Sequence, residues 1–266
     1  MKTLIIAEIG INHNGSTEIG QGIIDGAHEA GVQAVKFQTY RPDLRFEEGN
    51  PFISIFEQNH LPFEEEVKLW RYAAERGLKV LTTPFDKPSV EDCRTAPLDG
   101  VKIASFETTN LELVRSVATL KKPTYFSTGQ NTMDEVKAVI AAIREQHDDI
   151  TPMHCISSYP MKIEDANLSV ISRMQDELRM PIGFSDHSEG HLAAGLAVAM
   201  GVTCIEKHFT IDNDLEGPDH AMSMTPKTMK TLVDHVALVE TMMGDDWMGV
   251  RPCEEQIYKV ARRETA

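Results

Sequence analysis

The chain has 266 residues, 41% of them apolar. That is enough for one sizeable core and close to the roughly 250 residues of a single (β/α)8 barrel. Its formal net charge is −15 with the acidic residues scattered, which argues against a nucleic-acid partner and against an anionic membrane surface. Cys93, Cys155, Cys204 and Cys253 are far apart, the first apolar run meets Glu8 early, and no stretch approaches the ~18 apolar residues of a membrane span, so a cytoplasmic protein with reduced thiols is expected.

Eight short β-rich apolar runs follow one another along the chain, at 4–9, 34–37, 79–82, 101–104, 124–126, 152–155, 182–184 and 204–207. Amphipathic stretches of helical period separate most of them, at 19–30, 64–76, 111–120, 133–144, 170–178, 191–200 and 226–242. This alternation predicts βα units on a parallel sheet, and eight of them predict a TIM-type barrel over residues 1–250 with a tail at 251–266. Thr132 and Glu135 have capping-box spacing, and Thr225 precedes Pro226 as a cap precedes a proline at the first helical position. Gly31, Gly77 and Gly201 stand where left-handed C-terminal caps are needed. Residues 40–61, with several Pro, Gly and charged positions, read as a long irregular loop of the kind that serves as a functional excursion.

In such a barrel the C-terminal strand ends carry the chemistry. Here every apolar run passes directly into polar, glycine or titratable residues, and the eight tails converge on one mouth. His187 and His208 hold matching places after the seventh and eighth strands. Strands about 4.8 Å apart would let their imidazoles share one divalent cation (Mn²⁺, Mg²⁺ or Zn²⁺), with water and substrate oxygens completing the shell. Asp186 and Glu206 either orient those rings or are solvated charges. Lys36 and Lys102 emerge from apolar strands, where an ammonium is costly unless it meets an anion. With Ser105, Ser127, Thr128 and Ser185 they read as a clamp for phosphate and carboxylate, although Schiff-base chemistry at either lysine is a rival. Glu107 can serve as an acid or base, bind a sugar hydroxyl, or merely sit at a helix N-terminus. Asp219, in Gly217-Pro218-Asp219-His220, taken alone reads as a turn aspartate. His13 and His154 stay open as mouth residues.

These segments resemble the N-acetylneuraminate (sialic acid) synthase family, including the legionaminic and pseudaminic acid synthases. The likeness runs from Ala7-Glu8-Ile9-Gly10-Ile11-Asn12-His13-Asn14-Gly15 through Val35-Lys36-Phe37-Gln38-Thr39 and Lys102-Ile103-Ala104-Ser105-Phe106-Glu107. It continues through Phe126-Ser127-Thr128-Gly129, Gly183-Phe184-Ser185-Asp186-His187 and Glu206-Lys207-His208-Phe209-Thr210 to the Gly217–His220 segment. The resemblance implies a transferase that condenses phosphoenolpyruvate with N-acetylmannosamine or a similar acylamino sugar, giving a nine-carbon 2-keto acid and phosphate. It implies that Lys36, Thr83, Lys102, Ser105, Ser127 and Ser185 hold phosphoenolpyruvate, and that His187 and His208 bind a divalent metal, usually Mn²⁺. It also implies that Gln38, Asn50, Glu107, Tyr159 and Asp219 contact the sugar, and that the catalytic group comprises Lys36, Glu107, His187 and His208. A homodimer is the assembly it implies. Relatives usually carry a small antifreeze-like domain that lends an arginine to a neighbour's sugar site, and this chain stops about where that domain would start. Some relatives have Glu at the position of Asn14. A sibling sugar-acid synthase, a Schiff-base aldolase and a non-catalytic sugar-binding barrel are the alternatives.

Overall fold

The computed structural model describes residues 2–46 and 49–261. Its centre is a closed parallel barrel in which each strand pairs with the next and β8 returns to β1. The elements run β1 (Leu4–Gly10), α1 (Thr17–Ala30), β2 (Ala34–Thr39), α2 (Pro42–Arg45), α3 (Ile53–Gln58), α4 (Phe63–Glu75), β3 (Lys79–Pro84) and α5 (Lys87–Cys93). They continue with β4 (Gly100–Ile103), α6 (Leu111–Ala118), β5 (Thr124–Ser127), α7 (Met133–Arg144), β6 (Ile150–Cys155) and α8 (Ser169–Leu178). The barrel closes with β7 (Gly183–Ser185), α9 (Leu192–Ala199), β8 (Cys204–His208) and α10 (Pro226–Met243). Beyond it lies α11 (Glu255–Ala261), none of whose residues is buried. Residues 262–266 of the expected tail lie outside the described residues.

Alternation along the strands sorts the side chains onto two faces. Outward-facing residues such as Val35, Phe37, Val80 and Val101 belong to the large apolar cluster between sheet and helices. Inward-facing residues form layers. The floor is apolar: Ile6, Ala34, Leu81, Met153 and Cys204 pack together, with Leu4 and Tyr125 against them. Glycine at 183 is required there, because a Cβ would lie 2.4 Å from Cys204 Sγ and 2.9 Å from Met153 Cγ. Two residues further along most strands the interior turns polar, at Glu8, Lys36, Thr83, Ser127, Ser185 and Glu206, so the barrel is apolar at one end and polar at the other.

The caps act as their spacing predicts. Thr132 Oγ1 accepts from the Glu135 amide at 3.3 Å while Glu135 Oε2 accepts from the Thr132 amide at 2.6 Å. Gly31, Gly77 and Gly201 have φ of 84°, 76° and 88°. Three expectations need correction. The stretch 40–61 contains two short helices, α2 and α3, rather than irregular chain throughout, and α5 follows β3 although no helical period marks it. Only Ser89, Val90 and Cys93 of α5 are buried, less than two turns of pattern, and its start is set by the Asp86 carboxylate accepting from the Ser89 amide at 2.7 Å. Strands β2 and β3 also run on to Thr39 and Pro84, with Thr39 opposite Pro84, so Gln38 and Thr83 are strand residues instead of loop residues.

Candidate active site

The polar layer above the floor contains Glu8, Lys36, Thr83 and Lys102 on one side and Ser127, Ser185 and Glu206 on the other, all lining a cavity of ≈ 460 Å³. That volume lies in the usual range for small-molecule sites. The lysines expected to await an anion already meet carboxylates of the chain. Lys36 Nζ is 2.8 Å from Glu8 Oε2 and 3.8 Å from Glu206 Oε2, and Lys102 Nζ is 2.8 Å from Glu206 Oε1. Thr83 Oγ1 accepts from Lys36 at 3.0 Å, Ser185 Oγ donates to Glu206 Oε1 at 3.0 Å, and Gln38 Nε2 donates to Glu8 Oε1 at 3.0 Å. All four charged side chains are buried. Burial alone would depress the Lys36 amine, but the carboxylates of Glu206 and Glu8 hold its pKa above the ordinary lysine value. Burial likewise opposes ionisation of Glu206, and Lys102 and Lys36 overcome it, so its pKa lies below the usual carboxylate range. Lys36 and Glu206 are therefore both held in their charged forms. A protonated lysine locked to a carboxylate is a poor amine nucleophile, which counts against the Schiff-base alternative.

One layer further out, His187 and His208 face each other with ring centroids 5.6 Å apart. The Tyr159 ring lies 4.2 Å from that of His187 and 5.9 Å from that of His208. His187 Nδ1 is 2.8 Å from the Ile156 carbonyl oxygen, which can only accept, so Nδ1 carries the proton and Nε2 keeps its lone pair. Burial, with the neighbouring His208 ring, lowers the His187 pKa to about 3 and keeps it in the neutral, ligating form. His208 Nδ1 is buried with no hydrogen-bond partner, 3.6 Å from Asp219 Oδ2. Two imidazoles at this separation fit a shared ion with bonds of about 2.0–2.1 Å. No group of three or more His, Cys, Asp or Glu side chains is placed to hold a metal among the described residues. The chain thus offers two nitrogens, and the remaining positions would fall to water and substrate oxygens.

The other candidates divide. Gln38, Ser105, Tyr159 and Asp219 line the cavity. Asn50 does not; its side chain accepts from the Phe52 amide at 2.9 Å and caps its own turn. Glu107 does not line it either, and is turned toward Arg45 at 3.5 Å. His154 points out of the barrel, bonded to the Ala166 carbonyl and stacked on Phe184. His13 is buried away from the cavity, its pKa lowered to about 4 by burial and by His60. Glu206 does not orient the imidazoles, because it faces the lysines. Asp186 is neither a ring partner nor solvated: its side chain is fully buried, 2.9 Å from Lys207 Nζ, and accepts from Ser188. Sequence reasoning missed Glu8, although a carboxylate two residues after Ile6 in an apolar strand must face the same interior, and missed Arg45, for which no periodic signal exists.

Residues 23–247 match the NeuB family. The chain belongs to the NeuB family. An uncharacterised protein of Methanocaldococcus jannaschii is 37% identical over 262 residues, covering 98% of this chain and 78% of that protein. The N,N'-diacetyllegionaminic acid synthase of Legionella pneumophila is 34% identical over 263 residues, covering 92% and 74%. The crystal structure of N-acetylneuraminic acid (sialic acid) synthetase from Leptospira borgpetersenii in complex with citrate superposes with a TM-score of 0.93 at 30% identity, covering 99% of this chain and 94% of that one. This NeuB chain is therefore similar to sugar-acid synthases over its whole barrel. Among the described residues, no helix is long and apolar enough to cross a membrane.

Proposed function

We propose that the protein joins phosphoenolpyruvate to the aldehyde carbon of N-acetylmannosamine or a similar acylamino sugar, forming a nine-carbon 2-keto acid and phosphate. The observation that carries this reading is one cavity in which a lysine–hydroxyl layer adjoins a pair of facing imidazoles. Lys36 and Lys102, with Thr83, Ser105, Ser127 and Ser185, would receive the carboxylate and phosphate of phosphoenolpyruvate. Fixed ammonium and hydroxyl donors in a buried layer need little reorganisation as charge moves. His187 and His208 would hold a divalent cation, Mn²⁺ above Mg²⁺ or Zn²⁺. Such an ion supplies a Lewis acid at the aldehyde oxygen. Gln38, Tyr159 and Asp219, around the rings, would orient the sugar.

The new bond forms between the enol methylene carbon and the aldehyde carbon, whose oxygen becomes a hydroxyl after taking a proton. Water adds to C2, and the tetrahedral centre collapses to the ketone as its carbon–oxygen bond to phosphate breaks. The Lys36 and Lys102 ammonium groups stay beside the departing dianion throughout. His187→Ala should abolish Mn²⁺-dependent phosphate release from phosphoenolpyruvate plus N-acetylmannosamine, and should also remove the thermal stabilisation that Mn²⁺ gives the wild type. Full phosphate release by that variant, or by wild type in chelator, would end this reading, and borohydride trapping of a lysine adduct would replace it with an aldolase.

A further inference from the structure

The outer part of the cavity differs from its floor. Arg45, the last residue of α2, lines it with its side chain only 7% exposed. The guanidinium carbon lies 3.9 Å from the Phe85 ring centroid, 4.7 Å from Phe46 and 5.0 Å from Phe106. Phe85 and Phe106 are parallel to within 3°, with centroids 6.0 Å apart. Among the described residues Arg45 has one ion-pair partner, Glu107, at 3.5 Å from Nη1, and its Nε is buried without a hydrogen-bond partner. A guanidinium has five N–H donors, and burying one unpaired is unfavourable. An unpaired donor on a buried side chain at a cavity wall marks a place where a ligand oxygen belongs.

The surroundings say which oxygen. Arg45 is paired with Glu107 and otherwise surrounded by phenyl rings, without the second cation and the hydroxyl donors that the lysine layer offers an anion, and the rings offer apolar contact. A neutral carbonyl carrying a small apolar group satisfies both: the oxygen accepts from the guanidinium and the methyl rests on the rings. We infer that Arg45, in its box of phenylalanines, is the specificity-determining residue that reads the N-acyl group of the sugar. This inference rests on the synthase reading for the sugar's identity, but its geometry is that of a binding site. It gives Glu107 the role of a positioning residue that holds the guanidinium.

The test compares N-acetylmannosamine with mannose, which carries a hydroxyl in place of the acylamino group, on wild type, Arg45→Met and Arg45→Lys. Turnover is read as kcat/KM for phosphate release. Binding is read separately by calorimetry with phosphoenolpyruvate present and chelator added. A hydrogen bond from a charged group is worth roughly 10- to 100-fold, so the preference for the acyl sugar should fall by that factor in Arg45→Met and substantially in Arg45→Lys, which keeps the charge but loses the planar fork. Unchanged affinity for phosphoenolpyruvate serves as the check on folding, and if Arg45→Met does not fold, Arg45→Lys carries the comparison. Equal weakening of both sugars, a preserved preference, or no acyl preference in the wild type would overturn the inference. Loss of the binding preference in a protein that turns over neither sugar would sustain Arg45 as the acyl reader and refute the synthase.

Discussion

Glu66 of α4 is buried behind β2 and β3, where the Thr39 hydroxyl donates to its Oε2 at 2.8 Å and also lies 2.7 Å from Thr82 Oγ1. Burial dominates its ionisation and raises its pKa from 4.5 to about 8, against the smaller lowering effects of the Thr39 hydrogen bond and Arg41. A carboxyl whose pKa is higher folded than unfolded contributes stability that is complete below the unfolded value and is lost as pH rises through the folded one. At about 1.4 kcal/mol for each pH step, the gap between 4.5 and about 8 amounts to about 5 kcal/mol across the window, of which about 3 kcal/mol is lost by pH 7. Glu66→Gln keeps a side chain that can hydrogen-bond to Thr39 and removes the ionisation. Urea denaturation followed by circular dichroism, between about pH 5.5 and 8, should show the variant gaining on the wild type by about 3 kcal/mol as pH rises. Parallel stability curves for the two proteins would refute the argument, because they would mean that Glu66 ionises in the fold without penalty.

Gly183→Ala should destabilise the barrel by about 1–3 kcal/mol in thermal or chemical denaturation, because its methyl group has no room beside Cys204 and Met153. Cys204→Ala in the same chain should recover part of that loss, and unchanged stability in the single variant would contradict the packing described. Lys102→Met should destabilise by about 3–5 kcal/mol, since it strips Glu206 of its closer cation. Adding Glu206→Gln should restore much of the stability but not calorimetric binding of phosphoenolpyruvate, so wild-type affinity in the double variant would remove Lys102 from the anion site.

The barrel was legible because its signal repeats: each strand ends where alternation gives way to polar residues, and the polar layer lies two residues beyond the apolar plug. Lys36, Lys102, His187 and His208 could be found that way. Their partners were harder, because a lysine in an apolar strand announces the need for an anion without saying whether substrate or the chain provides it. Glu8 and Glu206 provide it in the free protein, and the register that sets Glu8 beside both Lys36 and His208 is a property of the closed sheet. Asn50 and Glu107 lie outside the cavity lining because one is used by its own turn and the other by Arg45. Arg45 itself lies in a stretch where one-turn helices leave no period to read, and its burial depends on rings from the segments after β3 and β4 that only the closed barrel brings near.

Ser185, Asp186 and His187 follow one another in the chain, as do Glu206, Lys207 and His208, yet the middle member of each trio faces away from the cavity. Asp186 and Lys207 meet on the reverse side, where the ammonium also donates to the Ser188 carbonyl at 2.7 Å. The tips that present the imidazoles are therefore bolted from behind by a charge pair that no ligand reaches. Their spacing is set at folding, before anything arrives, and a damaging substitution at position 186 or 207 would loosen the rings' footing without altering one atom of the chamber wall.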